Sequence, residues 1–192
     1  EKPLVEMLDS IYELDQSLRR VVNDLTKEFG FKSDTVRGVW KKIQYQDSIN
    51  EKAITQLIDE RGWLGSDVIG GRGSSTLFLV IQHAPLETQL KYLPIMREAV
   101  KNKKASGSSL ALLEDRVNLK TGKKQIYGSQ IGTLPDGSQY VQALEDPMNV
   151  DKRRAEVGLG PLNDYTQIWN FSFDPEEYLK KLPEYERILE NR

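Results

Sequence analysis

The only histidine of the chain, His83, is the side chain best suited to acid–base chemistry, because imidazole titrates close to neutral pH. It follows Gln82 at the end of the most apolar run of the sequence, which begins at Leu77. An apolar helix that ends in two polar side chains carries them into the middle of a domain. We therefore expect Gln82 and His83 to line a polar pocket, with His83 as general acid or base. The alternative is a buried histidine whose hydrogen bonds serve only the fold.

A carboxylate that could orient His83 is found on the second predicted helix. The apolar stripe of this helix is interrupted, at the helical period, by Asp47 and Asn50. A buried polar group without a partner costs about 1–3 kcal/mol, so both side chains need partners. We predict Asp47 as a catalytic residue beside His83, and Asn50 as a ligand-binding residue. The alternative is that the stripe reaches the surface here, or that a structural hydrogen bond fixes the helix.

Further polar side chains stand in otherwise apolar or structured segments, and we predict that they line a pocket for a small anionic ligand. Guanidinium groups bind carboxylates and phosphates through paired donors, so we expect Arg116 and either Arg153 or Arg154 to hold the anion. Salt bridges within the fold are the alternative role of these arginines. The predicted ligand-binding residues are Asn50, Gln82, Gln89, Asp115, Arg116, Gln125, Tyr127, Arg153 and Arg154.

The composition excludes several classes of protein. The 192 residues are 38% hydrophobic and 29% charged, as in a soluble globular protein, and the net charge of -2 does not indicate nucleic-acid binding. The longest apolar run is shorter than the roughly 20 residues of a membrane-spanning helix. Without cysteine and with one histidine, the chain has no disulfides, thiolate nucleophiles or two-histidine metal sites. We expect no metal or cofactor, since no spacing supports a site of His83 with Asp47 and Asp115.

The chain begins at Glu1 rather than Met, and an N-terminal segment is expected to have been removed. If that segment was an export signal, the protein is periplasmic or secreted; otherwise it is cytoplasmic. The sequence indicates no oligomeric state.

The periodicities predict an α+β domain that is predominantly helical. A glycine-rich stretch at 62–75 is expected to be a linker, and Pro94 is expected to kink or shorten the helix that contains it. The helices predicted in the first half of the chain cover 3–29, 33–61, 75–84 and 85 to about 101.

The second half is expected to contain a small antiparallel meander near 110–145. Its three arms are predicted over 110–119, 123–130 and 139–144, the last one after the turn Pro135-Asp-Gly137. A short helix is expected from Asp146-Pro147 to Gly158, and a last helix from Asp174, interrupted by Pro183. A single domain spans 1–192, with a helical hairpin at 1–61, the site region at 62–165 and a helical extension at 166–192.

Six short motifs occur in a characteristic order along this chain: Gly62-Trp63, Gln82-His83-Ala84, Asp115-Arg116-Val117, Gln125–Gln130, Asp146-Pro147 and Val150–Leu159. Over about residues 40–165 the chain resembles the bacterial family catalogued as domain of unknown function 6624. That family usually has Asp and Asn three residues apart before the Gly-Trp motif, which Asp47 and Asn50 match. It commonly has Thr in place of Ser129 and Asp in place of Pro85, so this chain has no acid at the second position after His83. The resemblance implies a shared pocket and no particular activity.

The leading hypothesis is a pocket for a small anionic ligand with hydrolase- or lyase-like chemistry. In it His83 is the acid or base, Asp47 orients the imidazole, and Arg116 and Arg154 bind the anion. The competing hypothesis is a non-catalytic binding or interaction module in which the same residues form a structural hydrogen-bond network.

Overall fold

A computed structural model describes residues 1–191 and confirms an α+β fold that is predominantly helical. The chain forms two compact units, an N-terminal unit over Glu1–Ala105 and a C-terminal unit from Ser106 onward. Each unit is described by itself, and the single domain expected over 1–192 stays a prediction. Within residues 1–191, no helix combines the length and the apolar character needed to cross a bilayer.

The N-terminal unit begins with a hairpin of two long helices, which confirms the first two predicted helices. Helix α1 covers Lys2–Phe29 and helix α2 covers Asp34–Arg61. The hydroxyl of Ser33 caps α2 by accepting a hydrogen bond from the backbone N–H of Val36. The two helices are antiparallel, because an ion pair between Glu1 and Arg61 joins the start of α1 to the end of α2. Their shared apolar contacts include Val22, Val36 and Ile43.

Helix α3 covers Ser66–His83 and begins earlier than predicted, so the assignment of 62–75 as a linker is wrong over its second part. The glycines that indicated a loop are placed inside a helix whose path breaks at a single residue. Gly70 has φ 72° and ψ 169°, a conformation that is open almost only to glycine. Ile69 and Thr76, on either side of this break, are fully buried, and burial of such side chains outweighs the low helix propensity of the glycines.

Helices α1 and α3 approach each other closely, and this contact positions the candidate site. A Cβ atom on Gly73 would come within 3.1 Å of Leu8 Cδ1, so a side chain there would force Leu8 to shift. The Thr76 hydroxyl donates to the Leu8 carbonyl at 3.2 Å. Two turns further along both helices, Asp15 of α1 contacts His83 of α3. Because both contacts advance by seven residues on each helix, α1 and α3 run parallel.

Helix α4 completes the N-terminal unit and covers Leu86–Lys101, as predicted. Pro94 lies within α4 and does not end it. A proline inside a helix removes one backbone donor and clashes with the preceding turn, which disfavours the helix. The buried side chains of Leu93 and Met96 outweigh this cost by holding α4 on both sides of Pro94.

The C-terminal unit begins with helix α5 over Gly107–Lys120, so the strand predicted over 110–119 is wrong. Alternate residues of α5 are buried, which imitates the period of a strand. The buried positions fall all around the helix because α5 is enclosed on several sides, and they are Ala111, Leu113, Asp115, Val117 and Leu119. Ser106 caps the helix by accepting from the N–H of Ser109.

The sheet is smaller than predicted and contains two antiparallel strands, β1 over Ile131–Thr133 and β2 over Gln139–Val141. The arm expected over 123–130 contains no strand, and its one ladder contact is a bridge between Gln125 and Leu144. In this arm, hydrogen bonds from backbone N–H groups to the Asp115 side chain replace the hydrogen bonds of a strand ladder.

Helices α6 over Val150–Glu156, α7 over Leu162–Gln167 and α8 over Pro175–Glu190 complete the unit, with a short 3₁₀ turn at Pro147–Asn149 before α6. The predicted interruption of the last helix at Pro183 is wrong, since α8 continues through it. Stacked aromatic rings hold this end of the unit together, among them Tyr140 and Tyr185 with centroids 4.5 Å apart.

Gly70 and Gly71 allow a paired test of the break in α3. We expect Gly70→Ala to lower the free energy of unfolding by about 1–3 kcal/mol, because an L side chain disfavours the backbone conformation at Gly70. Gly71 has ordinary helical geometry and open space around it, so Gly71→Ala should raise stability by about 0.5 kcal/mol. Urea unfolding of both variants measures these changes, and equal effects would contradict a special role of Gly70.

Candidate active site

The imidazole of His83 is oriented by Asp15, a carboxylate of α1. His83 Nδ1 lies 3.0 Å from Asp15 Oδ1. An ionised carboxylate only accepts hydrogen bonds, so Nδ1 carries the proton in this contact and Nε2 of a neutral ring is left with its lone pair. Within residues 1–191, Nε2 has no hydrogen-bond partner, and the His83 side chain is 16% exposed. The arrangement leaves one ring nitrogen available to accept a proton.

Arg19, one turn after Asp15 on α1, joins the two carboxylates of the site. Its Nη2 donates to Asp47 Oδ1 of α2 at 2.5 Å. Its Nε lies 3.5 Å from Asp15 Oδ2, at ion-pair distance but outside hydrogen-bond geometry. Asp47 is therefore held by Arg19, while the orienting role that the sequence predicted for it belongs to Asp15. We refer to Asp15, Arg19, Asp47 and His83 as the dyad cluster.

Asp15 is the most buried member of the dyad cluster, with 3% of its surface exposed. Burial raises the pKa of a carboxyl group, but the hydrogen bond and charge of His83, the charge of Arg19 and a hydrogen bond from Gln16 outweigh it. The pKa of Asp15 consequently lies below its ordinary value, and the group is a carboxylate at neutral pH. The guanidinium of Arg19 lies at ion-pair distance from both Asp15 and Asp47.

Three other predicted site residues of the N-terminal unit are buried amides. Asn50 accepts a hydrogen bond from Gln46 Nε2 at 2.9 Å, and its own Nδ2 is buried without a partner among residues 1–191. Gln82 Oε1 is likewise buried without a partner in the described chain. Gln89 donates from Nε2 to the carbonyl of Gln82 at 2.7 Å, which ties the start of α4 to the end of α3. Gln89 thus has a structural contact that stabilises the turn after His83.

The dyad cluster includes the residue types that bind divalent transition metals. One potential ligand atom from each of Asp15, Asp47 and His83 lies within 4.8 Å of the others. The guanidinium of Arg19, however, already supplies a positive charge between the two carboxylates. A divalent cation would have to displace Arg19, so the geometry favours an ion-paired acid–base site.

Asp115, a predicted ligand-binding residue, is saturated by hydrogen bonds within the C-terminal unit. Its Oδ1 accepts from the N–H groups of Ile126 and Tyr127 at 2.7 and 3.0 Å. Its Oδ2 accepts from Ser129 N and Oγ at 2.9 and 2.8 Å. Burial raises the pKa of Asp115, and these four hydrogen bonds oppose that effect. The carboxylate fixes the path of residues 126–129.

Gln125, Tyr127 and Arg116 are further predicted residues of the C-terminal unit, and the Gln125 side chain bonds to backbone groups. The Gln125 side chain donates to the carbonyls of Gln130 and Gln142 at 3.1 and 2.9 Å and accepts from the N–H of Gln130 at 2.9 Å. The backbone N–H of the half-buried Tyr127 donates a hydrogen bond to Asp115. Burial raises the pKa of the Tyr127 phenol. Arg116 lies on the same turn of α5 as Asp115 and has a buried Nε.

Both candidate arginines of α6 donate to main-chain carbonyls. Arg154, which is 3% exposed, donates to the carbonyls of Gly160 and Tyr127 at 2.6 and 2.7 Å. Arg153 donates to the carbonyls of Ile126 and Asp146 at 3.0 Å each, and also to that of Glu145. These bonds hold α6 against the segment that Asp115 organises. The structure therefore brings Asp47 and His83 together in one unit, and Asp115, Gln125, Tyr127, Arg153 and Arg154 in the other.

Asp15 and Arg19 were missed by reasoning from the sequence. The apolar stripe of α1 passes from Ile11 to Leu18, and the helical position between them is Asp15. An acid inside a buried stripe is the same signal that pointed to Asp47, so it was available for Asp15. Arg19 has no such signal, because a cation beside a stripe is ordinary on an amphipathic helix.

The lowered pKa of Asp15 predicts a pH-dependent contribution to stability. Since its folded-state pKa lies below the unfolded value, Asp15 stabilises the fold fully above about pH 4, and this contribution is lost as the pH falls through the folded-state value. At pH 7, Asp15→Asn should lower the free energy of unfolding by about 1–3 kcal/mol through lost hydrogen bonds. The difference from the unmodified protein should shrink as the pH falls below about 4, the ordinary pKa of an aspartate.

Urea unfolding at a series of pH values measures this difference. The control is Glu13→Gln, which changes an exposed carboxylate on the same helix and should have little effect at any pH. A difference for Asp15→Asn that stays constant to pH 3 would contradict a stabilising buried carboxylate.

Comparison with known proteins identifies the family and no activity. No curated protein and no solved structure matches the chain. The six motifs noted in the sequence lie between Gly62 and Leu159, within a longer match to a family model. That model, described as a family of unknown function, DUF6624, matches residues 3–175, and the chain belongs to this family.

Proposed function

We propose that the N-terminal unit is the catalytic part of a hydrolase- or lyase-like enzyme that acts on a small anionic ligand, with His83 as general acid or base. The observation that supports this most is the 3.0 Å contact between His83 Nδ1 and the buried carboxylate of Asp15. A carboxylate on Nδ1 fixes the tautomer and stabilises the imidazolium that forms when Nε2 takes a proton. Before that step, Nε2 of the neutral ring is available to accept a proton from water or from a ligand hydroxyl.

Arg19 is the anion-binding residue in this proposal. Its guanidinium forms paired hydrogen bonds with a planar anion when it exchanges Asp47 for the ligand. The exchange is balanced in charge, because one carboxylate leaves the guanidinium as another anion arrives. Asp47 and Arg19 are both half-buried, with about a fifth of each side chain exposed to the solvent from which a ligand arrives. Arg116 and Arg154, expected to bind the anion, belong to the other unit and are not required.

A structural network is the second candidate function, and the ion pair between Arg19 and Asp47 favours it. That pair joins α1 to α2, and the contact between Asp15 and His83 joins α1 to α3. A network that only holds three helices together would lose stability on substitution and would have no activity to lose. The two candidates therefore differ in what His83→Asn changes.

The acid–base proposal predicts loss of activity without loss of fold in His83→Asn. The chromogenic probes are p-nitrophenyl acetate, p-nitrophenyl phosphate and bis-p-nitrophenyl phosphate. Turnover of a probe by the unmodified protein should fall about 10²–10⁴-fold in the variant. The melting temperature should stay close to the original value, since asparagine can still donate a hydrogen bond to Asp15. A melting temperature that falls with no turnover of any probe would favour the structural network.

The single histidine makes the tautomer directly measurable. Long-range ¹H–¹⁵N spectra show only one imidazole, and the neutral ring should have its proton on Nδ1. In Asp15→Asn this preference should be reduced, because an amide oxygen attracts the proton less than a carboxylate. A proton on Nε2 in the unmodified protein would contradict the role of His83 as base.

The proposed role of Arg19 predicts anion binding near His83. Inorganic phosphate or acetate should shift the His83 imidazole resonances with saturation, and Arg19→Gln should weaken this binding about ten-fold or more. Arg20→Gln is the matched control, since Arg20 is the next residue of α1 and is exposed. Equal weakening in both variants, or no saturation, would rule out Arg19 as the anion-binding residue.

A further inference from the structure

The turn between α1 and α2 forms a second candidate site, which is independent of the proposed function. A cavity of about 590 Å³ opens there, and none of its lining residues belongs to the dyad cluster. We propose that this cavity binds a small aromatic anion, and we call it the turn cavity. Its lining residues are Phe31, Lys32, Arg37, Trp40, Lys41 and Gln44.

Two aromatic rings give the turn cavity an apolar surface. Trp40 is half-buried and packs against the cluster of Val22, Val36 and Ile43, so it forms a fixed wall. Phe31 lies in the turn and is 66% exposed, although burial of its ring would be favourable. A flat apolar ligand between these rings would cover the exposed ring of Phe31 and stack against both walls.

The charges of the turn cavity have one sign. Lys32, Arg37 and Lys41 line it, and no carboxylate is among the lining residues. Arg37 is hydrogen-bonded to Asp34. Lys32 and Lys41 are exposed and have no ion pair with any other residue of the described chain. A ligand that places an anionic group between these two lysines therefore meets complementary charge without displacing a salt bridge.

The size of the turn cavity favours a small molecule over a protein partner. Ligand sites typically enclose about 300–1,000 Å³, which includes this cavity. A stable protein interface uses about 20–30 residues on each side, whereas six residues line this cavity.

Binding of 2-naphthoate tests the proposal, with 2-naphthamide as the neutral ligand of the same shape. The indole N–H resonance of Trp40 reports binding, assigned by comparison with Trp40→Phe. Saturable binding of 2-naphthoate is expected, and 2-naphthamide should bind less tightly. The double variant Lys32→Gln, Lys41→Gln should weaken naphthoate binding about three- to ten-fold and leave naphthamide binding unchanged. Phe31→Ala, at an exposed position, should weaken the binding of both ligands.

Lys42→Gln is the matched control, because Lys42 is exposed on the next position of α2 and does not line the cavity. It should leave both affinities unchanged. The proposal is overturned if naphthoate does not saturate the Trp40 signal, if the double variant binds it as tightly as the original protein, or if Lys42→Gln weakens it equally. Binding of phosphatidylserine vesicles or of a polyglutamate peptide in preference to naphthoate would also overturn it.

Discussion

The buried carboxylate of Asp15 imposes the strictest constraint on the N-terminal unit, because a charge removed from water must be compensated by nearby donors. Its donors come from α3 through His83 and from α1 itself through Gln16, with the charge of Arg19 close by. The contact with His83 joins the same two helices, α1 and α3, that approach each other closely at Gly73. Helix packing and the chemistry of the imidazole are therefore set by the same contact.

Because the same contact serves helix packing and the chemistry of the imidazole, the dyad cluster is compatible both with a catalytic site and with a structural network. Its hydrogen bonds from Arg19 to Asp47 and from His83 to Asp15 each join two helices, so each contributes to stability whatever else it does. A purely structural histidine is expected to use both ring nitrogens, since an unpaired polar atom has no benefit in a core. His83 uses Nδ1 alone and has a partly exposed ring, which is the feature that favours acid–base chemistry.

The sequence predicted well those elements whose ends have their own chemical signals. Ser33 and Gly62 mark the ends of α2, and the observed helix begins and ends beside them. Helix α5 was mistaken for a strand because enclosure on several sides removes the one-sided stripe on which the prediction depends. The site was only partly predictable: a polar residue inside an apolar stripe is visible in the sequence, as at Asp47. Which carboxylate reaches His83 depends on the parallel packing of α1 and α3, and no local pattern encodes it.

A comparison of Asp115 with Asp15 shows how similar residues acquire different roles. Asp115 accepts four hydrogen bonds, three of them from main-chain N–H groups that have no sheet partner, so its carboxylate replaces a missing ladder. Main-chain donors do not titrate, and they hold the segment in one arrangement. Asp15 is paired instead with side chains, one of which is the imidazole of His83. In the proposed function, a proton taken up by His83 would change the charge beside Asp15. Three of the four donors of Asp115 are main-chain N–H groups, so the surroundings of that carboxylate would stay unchanged.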